Sequence, residues 1–233
     1  MRRCRKPNDM NDSANHIKRL NRLDCCAVSD AMDKVGLPDR VVSGLEQRST
    51  QRRIAGRVVT FRLVPANEAG PAGSAAPRHL GTSAIELAQA GEVIVVEQRS
   101  GIDAGSWGGI LTLGAKLRGI AGVIADGPVR DIDEARAYDF PIYCRALTAR
   151  TARGRVAEAE TNQPVTIGNV TVHPGDYVIA DASGVAFIPA GDIERVLEAA
   201  ESIAGREAAM AKALLVGTPI STVMGADYEH MLR

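Results

Sequence analysis

Between residues 83 and 144 the chain alternates helical and extended segments, and this alternation limits its fold more than any other feature of the sequence. Helical spacing over Ser83–Ala90 gives way after Gly91 to the strand signal Glu92-Val-Ile-Val-Val-Glu97. A helix from about Gly109 to Arg118 is followed, past Gly119 and Gly122, by the apolar run Val123-Ile-Ala125. A helix over Ile132–Tyr138 then leads to Pro141-Ile-Tyr-Cys144. Strands that alternate with helices in this way form βαβ units and a largely parallel sheet. In such a sheet the junctions at the carboxyl ends of the strands line the crevice where ligands bind.

The flanking segments follow other rules. Roughly the first 15 residues read as a loose tail, so the single domain is expected over residues 16–233. Leu20, Leu23, Ala27, Ala31 and Val35 recur every three or four residues, which predicts one helix over Ile17–Val35 that stops at Gly36 and Pro38. The β-branched segment Ile54–Val64 predicts a strand. The stretch from Pro65 to His79, rich in Ala, Gly and Pro, reads as a loop that can form a rim. Beyond residue 155, short strands near Val156–Ala159, Val165–Ile167, Val170–Val172, Asp176–Ala180 and Val185–Ile188 are separated by turns, a spacing that predicts hairpins folding back over the α/β part. A helix from about Gly191 to Leu215 closes the chain.

Composition narrows the partners. Aromatics are 3% of the 233 residues, with one Trp, so Ala, Val, Ile and Leu must fill the core and stacking platforms for single-stranded nucleic acid are not expected. Lys plus Arg equals Asp plus Glu at 28 each, so no global field draws the chain to nucleic acid or to a membrane. Cys4, Cys25, Cys26 and Cys144 form no C-x-x-C pair and have no His at zinc-finger spacing; they read as thiols in a reducing compartment. No secretory signal and no membrane span is legible. The expected location is the cytoplasm.

Two junctions carry the chemistry. Gly105-Ser-Trp-Gly-Gly-Ile-Leu111 opens a helix whose free N–H groups and positive dipole end suit a carboxylate, and its glycines allow close approach. In Asp126-Gly-Pro-Val-Arg-Asp131, Arg130 is a forked donor for a carboxylate or enolate. Asp131 is a hard oxygen ligand for Mg²⁺ or Mn²⁺. The same residues have plainer readings: Asp131 with Glu134 three positions on fits a helix cap, Arg130 a solvated charge, Gly127-Pro128 a turn. No dinucleotide fingerprint, Walker loop or nucleophile elbow is present.

From about Asp24 to Gly225 the chain resembles the family of class II 4-hydroxy-4-methyl-2-oxoglutarate/4-carboxy-4-hydroxy-2-oxoadipate aldolases and RraA, the ribonuclease E regulator. The matching features, in order, are Ser29-Asp30-Ala31, Trp107-Gly-Gly-Ile-Leu111, Asp126-Gly-Pro-Val-Arg-Asp131 and Pro174-Gly-Asp-Tyr-Val-Ile-Ala-Asp181 leading into Gly184-Val185. The resemblance implies an α/β/β sandwich of the swivelling-domain kind, assembled as a homotrimer or hexamer. It implies that Gly108, Gly109, Ile110 and Leu111 offer backbone amides to a pyruvyl unit, that Arg130 contacts substrate, and that Asp131 binds a divalent metal through water. Glu207 is the candidate for an acid supplied by a neighbouring subunit. The chain departs from the family at Ser183, where a carboxylate is common, and at Pro128. Asp181 reads as structural, capping the turn after a strand.

The implied activity is retro-aldol cleavage of a 4-hydroxy-2-oxo acid to pyruvate, with oxaloacetate decarboxylation through the same enolate. A divalent ion acts as Lewis acid and Arg130 adds charge stabilisation. With no Lys in the site segments, and Lys116 placed within a helix, a Schiff-base route is disfavoured. Water serves as the base. None of His16, His79, His173 and His230 lies in the motifs. Two other readings stand beside this one: a non-catalytic RraA-type regulator that binds a ribonuclease or another protein, and a lyase for a different 2-oxo or hydroxy acid.

Overall fold

A computed structural model of the chain describes residues 7–69 and 79–225. Its organising element is β3 (Ile54–Pro65), a strand of 12 residues shared by two halves of one sheet. Through Ile54–Arg57 it pairs antiparallel with β10 (Tyr177–Asp181), which pairs in turn with β11 (Gly184–Ile188) and then the short β1 (Val41–Val42). Through Val58–Arg62 it runs parallel to β4 (Val93–Glu97), followed by parallel β5 (Gly122–Val129) and β6 (Ile142–Leu147). The edge strand β2 (Glu46–Gln47) is antiparallel to β6, and β7 (Val156–Thr161) is antiparallel to the end of β3. The predicted helices fall between the parallel strands as α3 (Thr82–Leu87), α4 (Gly109–Leu117) and α5 (Ile132–Ala137).

Side-chain parity shows how the halves stack. Val58, Val93, Val95, Ile124 and Tyr143 from the parallel half share one central core with Ile54, Val178, Ala180, Val185 and Phe187 from the antiparallel half. The hairpin of β8 (Val165–Ile167) and β9 (Val170–Val172) closes that core with Val165, Ile167, Val170 and Val172. Alternate residues point outward. Val59, Phe61, Ile94, Val96, Val123, Ala125, Ile142 and Cys144 pack under α3, α4 and α5. Ala55, Tyr177, Ile179, Ala186 and Ile188 pack under α1 (Pro7–Leu20), α2 (Cys25–Lys34) and α6 (Ile193–Leu215). The expected α/β/β sandwich is present, with helices on both outer faces.

These strands are therefore continuous aliphatic runs because each is buried on both sides. Each fully buried Val or Ile contributes about 1.5–3 kcal/mol by transfer from water. Spacing between strands is equally constrained: a Cβ at Gly56 would stand 2.5 Å from Gly91 O and 3.0 Å from Val93 Cγ2. Nothing larger than glycine fits there without moving backbone.

Several boundaries differ from the periodicity. The chain is helical from Pro7, where a loose tail is expected to residue 15. The expected single helix over Ile17–Val35 is two, because Asp24 caps a new start by accepting the Ala27 N–H at 2.8 Å. Leu20, Leu23 and Ala31 still share one core, so the apolar face is real although the helix is broken. β5 continues past Ala125 through Asp126-Gly-Pro-Val129, with a shift of register between Ala125 and Pro128; a proline is tolerated in a central strand at such an irregularity. α6 starts at Ile193, after a single turn at Ala190–Asp192. A short α7 (Ile220–Val223) follows it. Most of the expected Ala/Pro rim, residues 70–78, lies outside the described residues. Among the described residues no helix is long and apolar enough to cross a membrane.

Candidate active site

The connection from β4 to α4 is stitched to the end of β5. Ser106 donates both its N–H and its hydroxyl to Pro128 O, each at 2.8 Å, and Arg130 N–H donates to Trp107 O at 3.0 Å. Trp107 is buried beneath this seam, 6.3 Å from the ring of Phe61. Its indole N–H donates to Thr112 Oγ1 at 2.9 Å, and that hydroxyl donates to Gly108 O at 2.9 Å. Burying an indole requires a partner for its N–H; here the partner also fixes the first turn of α4.

Three glycines let side chains from the β5–α5 junction lie on this backbone. A Cβ at Gly105 would stand 2.9 Å from Arg130 Cγ, and one at Gly108 would stand 2.9 Å from Asp131 Oδ2 and 3.2 Å from Arg130 Cγ. A Cβ at Gly109 would collide with Glu134 Oε2. Gly108 occupies the cap position of α4 in extended conformation and contributes no side-chain cap. The helix's own ladder begins with Thr112 N–H to Gly108 O, so the amides of Gly109, Ile110 and Leu111 precede it and point out of the helix end.

One of these amides is engaged: Gly109 N–H donates to Asp131 Oδ2 at 3.1 Å. Arg130 Nε donates to both oxygens of the same carboxylate, at 3.1 and 3.2 Å. Asp131 stands at the cap position of α5, but in left-handed conformation (φ 57, ψ 39) and with no side-chain bond to that helix. The capping reading is right about position and wrong about the side chain. Aspartate tolerates the left-handed region better than most residues, yet pays for it in conformational energy. This geometry turns the carboxylate across to α4. Arg130 and Asp131 are 36% and 32% exposed, so their contact adds little stability and serves orientation.

The other candidates lie as follows. Ile110 is 82% exposed beside the pair, whereas Leu111 is buried in the core under α4. Lys116 Nζ donates to Tyr138 O at 2.6 Å, at the far end of α4. His16 bonds Tyr177 and Glu194, His79 faces Leu80 O, and His173 lies by Asp176; His230 lies outside the described residues. Asp181 accepts the amides of Cys25 and Ser183 at 2.9 and 2.8 Å, tying the β10–β11 turn to α2. Burial raises its carboxyl, but these amides outweigh that and hold it below the usual range. Cys25, Cys26 and Cys144 are free thiols.

Glu207 is not brought to Asp131 within one chain. It lies on α6, in the opposite helical layer. There burial, then the carboxylates of Asp24 and Asp30, push its carboxyl upward. Glu134, in contrast, stands at the site and has only a weak sequence signal, its place three residues after Asp131.

The donors present fit a hydrated divalent cation. Among the described residues no group of three or more His, Cys, Asp or Glu side chains converges as a metal cage. Asp131 and Glu134 do lie against the same pair of glycines, and Mg²⁺ is commonly held by one or two carboxylates while keeping several waters.

Comparison with known proteins gives a consistent picture. A profile of the RraA-like family, described as Aldolase/RraA, matches residues 25–187. Over 206 residues the chain is 28% identical to DlpA of Legionella pneumophila, covering 88% of this chain and 32% of that protein. Over 138 residues it is 31% identical to 4-hydroxy-4-methyl-2-oxoglutarate aldolase of Thermus thermophilus, covering 59% and 76%. The solved structure of an uncharacterised protein from Pseudomonas syringae pv. tomato superposes with a TM-score of 0.80 at 25% identity, covering 91% of this chain and 98% of that one. The chain spans 56% and 58% of the length of two further curated relatives.

Proposed function

Because the chain belongs to the RraA-like family, we propose that it is a divalent-metal-dependent lyase that cleaves a 4-hydroxy-2-oxo acid of the 4-hydroxy-4-methyl-2-oxoglutarate type to pyruvate. The observation that carries this reading is the convergence of Arg130, Asp131 and the amide end of α4 on one exposed spot. Similarity to an aldolase of Thermus thermophilus supports it.

Breaking the C–C bond beside the pyruvyl unit leaves negative charge on the 2-oxo oxygen. The Arg130 guanidinium and the N–H groups of Ile110 and Leu111 are preorganised donors for that charge and for the neighbouring carboxylate. Asp131 and Glu134 would hold Mg²⁺ or Mn²⁺, which when bound supplies Lewis acidity at the 2-oxo group. Asp131 is already engaged by two donors, which fix its direction. The proton of the substrate hydroxyl is assigned to water. Glu207 is assigned to a neighbouring copy in a homotrimer or hexamer, since its own chain holds it away from Asp131. Oxaloacetate would lose its carboxylate through the same charged enolate.

Pyruvate release from 4-hydroxy-4-methyl-2-oxoglutarate and from oxaloacetate, measured with Mg²⁺, with Mn²⁺ and with a chelator, tests this function. The expected result is metal-dependent turnover of at least one substrate. Absence of turnover with both, across metals, contradicts it.

A further inference from the structure

Beside the 98–103 loop lies an open cavity of about 600 Å³ that the proposed lyase chemistry does not use. It is lined by residues at the carboxyl ends of β4, β5 and β6 and by Gly168 and Asn169 of the β8–β9 turn. Its volume is in the range of small-molecule sites, and its place is where parallel sheets bind ligands.

Its polar groups are unevenly satisfied. Asp126 is buried and fully engaged, accepting from Arg145 Nε and from Gly168 N–H, each at 2.6 Å. Asp103 is paired with Arg150 at 3.1 Å. Arg99 is exposed and forms no ion pair among the described residues, so its guanidinium is free to meet a carboxylate, while the charged lining residues Arg99, Arg145, Asp103 and Asp126 together sum to zero. Gln98 is 4% exposed. Its Nε2 donates to Ile102 O and Ala104 O, at 3.2 and 3.0 Å. Those two carbonyls fix the orientation of the amide, because a flip would set oxygen against oxygen. The opposite atom, Oε1, is buried with no hydrogen-bond partner among the described residues. It lies over Gly127 on the cavity floor, where a Cβ would come within 3.2 Å of it.

A buried acceptor left unpaired costs about 1–3 kcal/mol, and such an atom calls for a donor. We propose that this cavity is a second binding site, for a small hydroxy carboxylate whose hydroxyl donates to Gln98 Oε1 and whose carboxylate pairs with Arg99. Oε1 has no exposed surface, so the rim at Gly101–Asp103 must part for the hydroxyl to reach it; this releases the Ile102 O contact, and the Ala104 O contact outside the rim keeps Nε2 in place. The site is independent of the lyase reading, although its floor, Asp126–Pro128, is the strand end that carries Arg130.

Calorimetric titration of the full chain with malate, and with succinate as its counterpart lacking the hydroxyl, tests the proposal. Titration is repeated in Arg130→Ala, so that binding at the lyase site is separated. The proposal expects malate to bind wild type and Arg130→Ala alike, and succinate to bind roughly tenfold more weakly or not at all. Arg99→Ala and the cavity-filling Ala146→Phe, both at exposed positions, should each weaken malate about tenfold or more. It is overturned by no malate binding up to roughly 10 mM, by equal binding of the two acids, by loss of binding in Arg130→Ala, or by full binding in both cavity variants.

Discussion

The Asp131 carboxylate crosses from the cap position of one helix to the backbone amide of Gly109 at the start of another, 3.1 Å away. It does so from left-handed backbone and with Arg130 Nε on both of its oxygens. Strain of this kind persists where surrounding structure enforces it and is concentrated at functional sites. The predictions below follow from how that contact is built.

Gly108→Ala should separate activity from stability. Gly108 has extended backbone (φ −154) that any residue adopts, so Ala gains about 0.4–1 kcal/mol from a less disordered unfolded chain. Its Cβ, 2.9 Å from Asp131 Oδ2 and 3.2 Å from Arg130 Cγ, must push both side chains aside. Turnover should fall about tenfold to a hundredfold while the melting temperature stays level or rises. Unchanged turnover would mean that the positions of these side chains do not matter.

Trp107→Phe should loosen the first turn of α4. The substitution removes the donor to Thr112 Oγ1 and leaves space in the core, for a cost of about 1–3 kcal/mol in urea denaturation. Trp107 is also the only tryptophan. Its emission in wild type should be that of a buried indole and shift to the red in step with loss of pyruvate release. An emission change well before activity is lost would show that this seam is not part of the site.

Stability should depend on acid through the α1–α6 pairing. Arg19 donates to Glu201 at 2.8 Å on both oxygens and also binds Glu194. Hydrogen bonding to Arg19 holds both glutamates below their ordinary pKa, against a smaller opposing effect of burial. A carboxylate depressed in the folded state stabilises above its unfolded value, about 4.3, and loses that contribution as pH falls through the folded one. The melting temperature of Arg19→Ala should lie below wild type at pH 7 and approach it below roughly pH 3. A constant gap across that range would assign the effect to packing of the arginine stem instead.

Asp181→Ala should destabilise without altering site chemistry. The carboxylate holds the Cys25 and Ser183 amides, and removing it leaves donors unpaired at a cost of about 1–3 kcal/mol. Denaturant melts should show this loss with KM unchanged; a large KM change would move Asp181 into the site.

Much of this architecture is legible in the chain because periodicity and glycine punctuation are strong between residues 83 and 144. The division of β3 between two half-sheets is not, since a strand apolar on both faces does not show where its neighbours change. The break at Asp24 is hidden by an apolar face that continues through Leu23. Pro128 suggests the end of a strand, and only the shifted register after Ala125 lets β5 run on. At the site, Arg130, Asp131 and the glycines could be named from their order. The left-handed backbone of Asp131, the approach of Glu134 and the unpaired oxygen of Gln98 all depend on tertiary packing, which no local pattern encodes.

Turnover of 4-hydroxy-4-methyl-2-oxoglutarate by Asp131→Asn at saturating Mg²⁺ tests the central claim most directly. Asparagine keeps the size and the tolerance for left-handed backbone while removing the charge. The account predicts a folded protein, with wild-type melting temperature, whose pyruvate release is reduced about a hundredfold or more. Undiminished release from Asp131→Asn, beside an active wild type, would contradict it.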